Sequence, residues 1–317
     1  MKLSRRQFIV TAIGAGVASA GAALVATGDA RPAFQWRGAA LGGEARVALY
    51  GADADAARSA LSDVAAEIER LEAVFSLHRE ASELSRLNRD GVLDHPSRDL
   101  ADVLAASVAW RARTHGAFDP TIQPLWQAAA DGLPASRDLI DRVGGTIEIS
   151  SSRIGLPAGT ALTLNGIAQG RIADRVTEVL VRHGFSDVVI DAGELRLPGK
   201  ERRVVGIPAA KAAVSVAEIA IATSEPKSLV FDRKSFRHHL IDPRTGASPR
   251  HWLSLSVFAP TAEMADALST GFALLPHDAV ADLASSIGDV AVLGEDGSGR
   301  IRRLGNLRLA GFEGARS

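Results

Sequence analysis

The chain has 317 residues, with 36 Lys and Arg against 37 Asp and Glu, and it contains no cysteine. A formal net charge of -1 argues against a nucleic-acid-binding protein, because such proteins normally carry a basic excess. The lack of cysteine excludes disulfides, zinc–thiolate sites, iron–sulfur clusters and thiol nucleophiles. With 46% hydrophobic residues, the chain is long enough for one large core or two fused small ones.

An export signal is predicted at the amino terminus. Residues 4–9, Ser-Arg-Arg-Gln-Phe-Ile, match a twin-arginine motif, and a weakly apolar run follows from Val10 to Ala26. Small residues at 28–30 predict cleavage near Ala30, although the run is just long enough for an uncleaved membrane anchor. We therefore assign residues 1–30 to a signal peptide and residues 31–317 to one folded domain. The expected location is the periplasm, free or associated with the inner membrane.

Hydrophobic periodicity predicts a mixture of helices and strands along the rest of the chain. The predicted helices are 53–74, 97–115, 121–130, 136–143, 166–183, 262–275 and 277–287. The predicted strands are 37–51 (one strand or a hairpin), 146–150, 161–164, 187–191, 203–207, 216–222, 235–241, 253–258, 289–293 and 301–304. Because the order lacks the regular alternation of a parallel sheet, the sequence favours an α+β fold in one compact unit.

The segment from His238 to Gly246 is the first candidate for chemistry. Two histidines come at the end of a predicted strand, and a tight Asp-Pro-Arg-Thr-Gly turn follows. Histidine is the side chain whose ordinary pKa lets it exchange protons near neutral pH, and a rigid turn would fix its direction. A strand followed by a surface turn is the alternative. Four nearby cations are either a solvated face or a site for a phosphate-bearing small molecule: Lys227, Arg233, Lys234 and Arg237.

A carboxylate and a hydroxyl form a second candidate, because Asp266 and Thr270 are four residues apart on one face of a predicted helix. Such hard oxygen ligands suit Mg²⁺, which takes one or two carboxylates beside substrate phosphate. The alternative is a carboxylate that stabilises the helix dipole, together with a satisfied core hydroxyl.

Two loops complete the set of candidates. Asp119 precedes Pro120 in a loop between two predicted helices, where it either contacts a ligand or caps the second helix. Glycines 166 and 170 lie where a predicted strand turns into a helix. Backbone N–H groups at such a junction bind phosphate, or the glycines only permit close packing.

In order and spacing, these segments resemble the ApbE family of FAD:protein FMN transferases. The similarity covers roughly residues 37–310. The matching segments are Phe75-Ser76, Ser82-Glu83-Leu84, Leu87-Asn88, Gly116-Ala117-Phe118-Asp119-Pro120-Thr121, Pro124-Leu125, Gly166-Ile167-Ala168-Gln169-Gly170, Ala173-Asp174, Ala222-Thr223-Ser224, His239-Leu240-Ile241-Asp242-Pro243-Arg244-Thr245-Gly246 and Ala265-Asp266-Ala267-Leu268-Ser269-Thr270.

The resemblance implies a duplicated T-fold-like α+β architecture with mixed, mainly antiparallel sheets, flanking helices and FAD bound between the halves. It implies Mg²⁺ on the pyrophosphate, with Asp266, Thr270 and a backbone carbonyl near Gly166 as ligands. By position, His239 matches the histidine that activates the acceptor hydroxyl. The positions that match FAD contacts are Leu41, Ala117, Phe118, Asp119, Thr163, Gln169 and Leu240.

The implied activity is Mg²⁺-dependent transfer of FMN from FAD to a Thr or Ser, with release of AMP. The implied acceptor is an exported or membrane flavoprotein of a respiratory or electron-transfer complex. No nucleic-acid partner is expected, and membrane contact is expected only through the acceptor or an uncleaved signal anchor.

Four positions depart from the family pattern. Thr163 stands where Asp is usual, Gln169 where Lys or Glu is common, Glu194 where a Gly-Gly-Asp turn ends, and Glu225 where glycine is expected. These departures leave two alternatives open. One is a non-catalytic periplasmic flavin-binding or assembly factor, and the other is an FAD pyrophosphatase that uses water in place of the acceptor.

Overall fold

The structure, a computed structural model, describes residues 23–25, 34–50, 53–210, 212–307 and 309. Its helices are α1 Ala54–Phe75, α2 Glu83–Asp90, α3 Arg98–Arg113, α4 Gln123–Ala130, α5 Arg137–Arg142, α6 Ala168–Arg182, α7 Ala262–Phe272 and α8 His277–Ile287. Its strands are β1 Ala23–Val25, β2 Phe34–Ala40, β3 Gly43–Leu49, β4 Val92–Asp94, β5 Glu148–Ile149, β6 Arg153–Gly155, β7 Val188–Asp191, β8 Leu195–Leu197, β9 Arg203–Ile207, β10 Ala212–Val216, β11 Ile219–Ser224, β12 Val230–Asp232, β13 Arg237–His238, β14 Trp252–Ala259, β15 Ala291–Asp296 and β16 Ile301–Gly305.

An eight-stranded antiparallel sheet in the order β2-β3-β7-β8-β11-β14-β15-β16 organises the molecule. Its two halves repeat one topology, because each has two strands, then a helical segment, then two more strands. In the first half the helices from α1 to α6 separate β3 from β7, and in the second half α7 and α8 separate β14 from β15. This repetition confirms the expected duplicated α+β fold.

The sheet is buried on both faces. On one face its small and β-branched residues pack against α1, α6 and α7 in a large core that includes Val64, Ile172 and Leu268. On the other face Ile221 and Phe258 pack against the three-stranded sheet β1-β9-β10. Strand residues alternate between the two cores, as the period of two requires.

Two local features of the backbone lie near the residues expected at the site: a tight turn between two strands and a close contact between two helices. Leu41 and Gly42 form the two-residue turn between β2 and β3, and both have positive φ, as a type I′ hairpin requires. The α6 helix lies against α7 so closely that a Cβ on Gly170 would collide with the backbone of Ala262. The same interface carries the bond from the Gly170 N–H to the Asp266 carboxylate, so it places the site residues at the ends of both helices.

All seven predicted helices are confirmed, with ends that agree to within three residues. One further helix, α2, has no counterpart among the predictions. The α2 helix was not predicted, because its eight residues hold only two buried apolar side chains, Leu84 and Leu87. Its capping serine, Ser82, accepts a hydrogen bond from the N–H of Ser85 and starts the helix locally.

Three strand predictions are wrong. Residues 161–164 form no strand, because Leu162 bonds instead to the side chain of Asn88. The predicted strand 216–222 crosses a turn in which Glu218 has positive φ. Its apolar pattern therefore belongs to two strands of different sheets, because β10 pairs with β9 and β11 pairs with β8 and β14. The predicted strand 235–241 reduces to β13, and the chain from 239 to 251 forms no helix or strand.

The predicted signal peptide, residues 1–30, lies outside the described residues except for 23–25. Those three residues pair antiparallel with β9. Within the described ranges, no helix combines the length and the apolar character needed to cross a membrane.

Candidate functional site

A cleft opens between the end of α3, the start of α6, the carboxyl-terminal part of α7 and the loop that follows β13. It brings together eight of the eleven site residues expected from the sequence, from four separate segments of the chain. Its lining consists of Ala117, Phe118, Asp119, Pro120, Ile122, Thr163, Gly166, His239, Leu240, Ile241, Pro243, Thr270 and Leu274.

The other three expected residues lie around the cleft without lining it. Leu41 is at the β2–β3 turn, where its N–H donates to the carboxylate of Glu72. The Gln169 side chain lies against Gly193, at the turn before β8. Asp266 is buried inside the α6–α7 interface. The side chains of these three residues therefore make their contacts outside the cleft lining.

Asp119 is both a cap and one member of a buried ion pair. Its Oδ1 accepts hydrogen bonds from the N–H of Thr121 at 2.9 Å and from the Thr121 hydroxyl at 2.6 Å. Its Oδ2 lies 2.8 Å from Nε of Arg111, which also donates to the backbone at Gly144. Asp119 therefore caps the turn that begins at Pro120, as one of the two sequence-based alternatives proposed. The same contacts fix its carboxylate at the edge of the cleft.

His239 is held as a neutral base. Burial lowers the pKa of its imidazole to about 4, and the hydrogen bond to the carbonyl of Leu229 only partly opposes this effect. Nδ1 lies 3.2 Å from that carbonyl oxygen, so Nδ1 must carry the proton. Nε2 then keeps its lone pair, which is the form a general base needs at neutral pH.

The loop that carries His239 is fixed at both ends. His238 lies 3.0 Å through Nε2 from the carbonyl oxygen of Pro249, and Ser248 Oγ both accepts from the His238 N–H and donates to its carbonyl. The carboxylate of Asp242 accepts from the N–H and the guanidinium of Arg244. The turn expected from the sequence is therefore rigid.

Two buried carboxyl groups lie behind the cleft. Burial raises the pKa of Asp266 to about 8, against the opposing effect of the Gly170 N–H bond. Burial also raises the pKa of Glu194, and the carboxylates of Asp266 and Asp191 raise it further. Oε2 of Glu194 has no hydrogen-bond partner among the described residues. A cation between such groups would remove the cost of burying their charge.

Two of the three expected metal ligands, Gly166 and Thr270, approach each other just before α6. A Cβ on Gly166 would come 2.6 Å from the Thr270 hydroxyl oxygen, so the backbone and that hydroxyl approach closely. Among the described residues, no cluster of three or more His, Cys, Asp or Glu side chains is able to hold a metal ion. The expected set needs only one carboxylate, together with a hydroxyl and a backbone carbonyl.

Three contributors to the site were not found from the sequence. Ile122 and Leu274 line the cleft, and Arg111 pairs with Asp119. The apolar pair looks like ordinary core residues of amphipathic helices. Arg111 is one of two arginines near the end of α3, and nothing in the spacing distinguishes it from Arg113.

The chain is similar in sequence to known proteins. The sequence profile of the ApbE family matches residues 41–293. An FAD:protein FMN transferase from Haemophilus influenzae is 29% identical over 256 residues, which cover 70% of this chain and 74% of the relative. An FAD:protein FMN transferase from Treponema pallidum is 28% identical over 267 residues, with 69% and 72% covered.

Solved structures show the same fold. The ApbE protein from Thermotoga maritima has a TM-score of 0.75 at 24% identity, over 86% of this chain and 96% of that one. The flavin transferase ApbE from Vibrio cholerae has a TM-score of 0.71 at 22% identity, over 87% and 99%. The family profile and the named relatives indicate a protein of the transferase class. The chain belongs to the ApbE family.

Proposed function

We propose that this protein is a Mg²⁺-dependent FAD:protein FMN transferase that modifies a Thr or Ser of an exported or membrane flavoprotein and releases AMP. The observation that carries the proposal is the place of His239, a neutral imidazole with Nε2 free, on the rim of the cleft. Relatives that carry this activity in their names, from Haemophilus influenzae and Treponema pallidum, support the substrate.

The cleft suits a flat, largely apolar ring system with phosphates at one end. Phe118, Leu240 and Ile241 supply apolar walls, while Asp119 supplies an acceptor fixed by Arg111. The start of α6 lies at the other side, where the helix dipole favours phosphate oxygens.

In the proposed reaction, the acceptor hydroxyl attacks the phosphorus of the FMN half of FAD. His239 Nε2 takes the hydroxyl proton as the new O–P bond forms. The bond between that phosphorus and the bridging oxygen breaks, and AMP leaves with the electron pair. The rigid loop from His239 to Pro249 holds the base in position, and such positioning supplies much of the rate in phosphoryl transfer.

The residues at the start of α6 fit a hard cation. The Thr270 hydroxyl, the Gly166 backbone and the buried Asp266 carboxylate are the oxygen donors that would hold it. Bound Mg²⁺ would supply charge neutralisation at the pyrophosphate. The burial of the Asp266 and Glu194 carboxyl groups side by side supports the presence of a cation when the site is loaded.

The departures from the family pattern are compatible with activity. Thr163 lines the cleft, and its hydroxyl accepts the N–H of Asn165, so it still shapes this wall. Glu225 is half-buried and does not line the cleft, so it places no side chain against a bound ligand there.

The site of action proposed is the periplasm, by twin-arginine export, or the outer face of the inner membrane. The amino-terminal Arg5-Arg6 motif and the apolar run behind it support this. Proteins on this route cross the membrane already folded, so FAD is able to bind before or after export.

The test is incubation of the purified protein with FAD, Mg²⁺ and an exported flavoprotein domain. The expected products are AMP and an acceptor that carries covalent flavin. AMP formed at the same rate without the acceptor would identify a pyrophosphatase. Tight FAD binding with neither product would identify a carrier.

A further inference from the structure

The β12–β13 hairpin carries a local excess of positive charge. Residues 226–238 hold Lys227, Arg233, Lys234 and Arg237 against the single carboxylate of Asp232, in a chain whose net charge is -1. The first three cations are exposed, and Arg237 is half-buried.

This charge is not neutralised within the hairpin. The Asp232 carboxylate is occupied by its own loop, because it accepts the N–H of Lys234 at 2.9 Å and the Ser235 hydroxyl at 2.6 Å. In the described part of the chain, no ion pair within 4.0 Å joins any of the four cationic side chains to a carboxylate. Glu225, directly before this segment, attracts Lys227, and Asp232 attracts Lys234, but neither forms a close ion pair. The hairpin therefore keeps an excess of exposed positive charge.

The hairpin is fixed beside the proposed base. The carbonyl of Leu229, just before β12, accepts both the backbone N–H and the ring Nδ1–H of His239. On its other side, Phe231 packs edge-on against Trp126 of α4, with 5.2 Å between the ring centroids. The Leu229 side chain stays 43% exposed. An apolar contact and a cationic surface thus lie next to the catalytic histidine.

The four cations are not placed to hold FAD inside the cleft. None of them is among its lining residues, although His239 and Leu240 from the adjoining loop are. An acceptor protein, by contrast, must approach from outside to bring a hydroxyl to His239. The hairpin lies at that rim.

We propose that the β12–β13 hairpin is the docking surface for the acceptor, and that it selects an acidic segment close to the modified Thr or Ser. Carboxylates of that segment pair with Lys227, Arg233 and Lys234, and a neighbouring apolar side chain covers Leu229. Complementary charge of this kind raises the association rate and is weakened by salt. The inference rests on the proposed function in one respect, namely that the hydroxyl of the docked segment accepts FMN. The binding of the acidic segment itself does not depend on it.

The test measures peptide binding without turnover. The probes are two fluorescent peptides that each contain one threonine, flanked by aspartates in the first and by asparagines in the second. The protein variants are Arg233→Glu/Lys234→Glu on the hairpin and Arg182→Glu/Lys200→Glu elsewhere, which make the same change in net charge at exposed positions. FAD affinity is measured in parallel by flavin fluorescence.

We expect the aspartate peptide to bind the wild type and the Arg182/Lys200 variant alike, and the hairpin variant about tenfold more weakly. Raising the ionic strength should weaken binding to the wild type. With a benzophenone in place of the threonine side chain, crosslinks should map to residues 226–240.

Equal binding of both peptides, equal loss in both variants, or crosslinks elsewhere would overturn the docking proposal. A comparable loss of FAD affinity in the hairpin variant would also overturn it, because the cations would then serve FAD phosphates. Failure of the transferase proposal has a different signature. The peptide would still bind, but no flavin would be transferred.

Discussion

The ring of His239 hydrogen-bonds to the carbonyl oxygen of Leu229, with 3.2 Å between Nδ1 and that oxygen. This one contact selects the tautomer, orients the ring and connects the proposed base to the β12–β13 hairpin. Because burial also lowers the pKa of the ring to about 4, the imidazole is neutral throughout the physiological range. The arrangement is that of a base ready to accept a proton through Nε2.

The pH dependence of transfer follows from this pKa. Since the base must be neutral, the contribution of His239 to the rate should be flat from pH 8 to pH 5 and should fall as the pH approaches about 4. The measurement is the rate of acceptor flavinylation at saturating Mg²⁺ across this range. A midpoint near 6.5, the ordinary histidine value, would contradict the burial argument.

Stability should depend on pH for the same reason. The folded pKa of His239 is depressed, so between about 6.5 and 4 the unfolded chain binds the proton more readily than the folded one. The free energy of unfolding should therefore decrease as the pH falls through this window. His239→Asn should lose part of this slope in urea unfolding, and an unchanged slope would show that His239 does not contribute.

Arg111→Met should destabilise the protein by about 3 kcal/mol, because it leaves the Asp119 carboxylate buried without its cation. Urea unfolding measures the loss, and FAD affinity should fall with it. The matched control is Arg137→Met, which breaks an exposed pair with Asp141 and should cost under about 1 kcal/mol. Equal losses in the two variants would show that burial of Asp119 is unimportant.

Thr270→Val should weaken binding of Mn²⁺, used as a probe for Mg²⁺, by about tenfold in the presence of FAD. The substitution keeps the shape of the side chain beside Gly166 and removes the hydroxyl, so thermal stability should change little. Thr177→Val on α6 is the control, because that hydroxyl bonds only to the carbonyl of Ala173. Unchanged Mn²⁺ affinity in Thr270→Val would remove this hydroxyl from the proposed ligand set.

Long amphipathic helices could be predicted from the sequence, because their burial pattern is local. The α1 helix shows this, with Val64, Ile68 and Leu71 at helical spacing and Asp53 as its cap. The order and spacing of the site segments could also be recognised from the family resemblance. Eight of the residues named through that resemblance line one cleft. The α2 helix could not be predicted in this way, because its capping residues define it and it has no long apolar stripe.

Long-range pairing could not be predicted. The strand expected at 216–222 failed because β10 and β11 share one alternating pattern across the turn at Glu218. The segment 239–241 looked like a strand, yet its apolar side chains, Leu240 and Ile241, face the cleft instead of a neighbouring strand. The Arg111–Asp119 pair likewise depends on how α3 meets the next loop, which periodicity does not encode.

The central claim is tested most directly by the mass of an exported acceptor domain after incubation with FAD and Mg²⁺. Wild-type protein should add one FMN to a single Thr or Ser and release one AMP for each acceptor modified. His239→Asn should lower the rate by a factor of about a hundred or more while FAD still binds. An acceptor of unchanged mass with the wild type, or equal flavinylation by His239→Asn, would contradict the account.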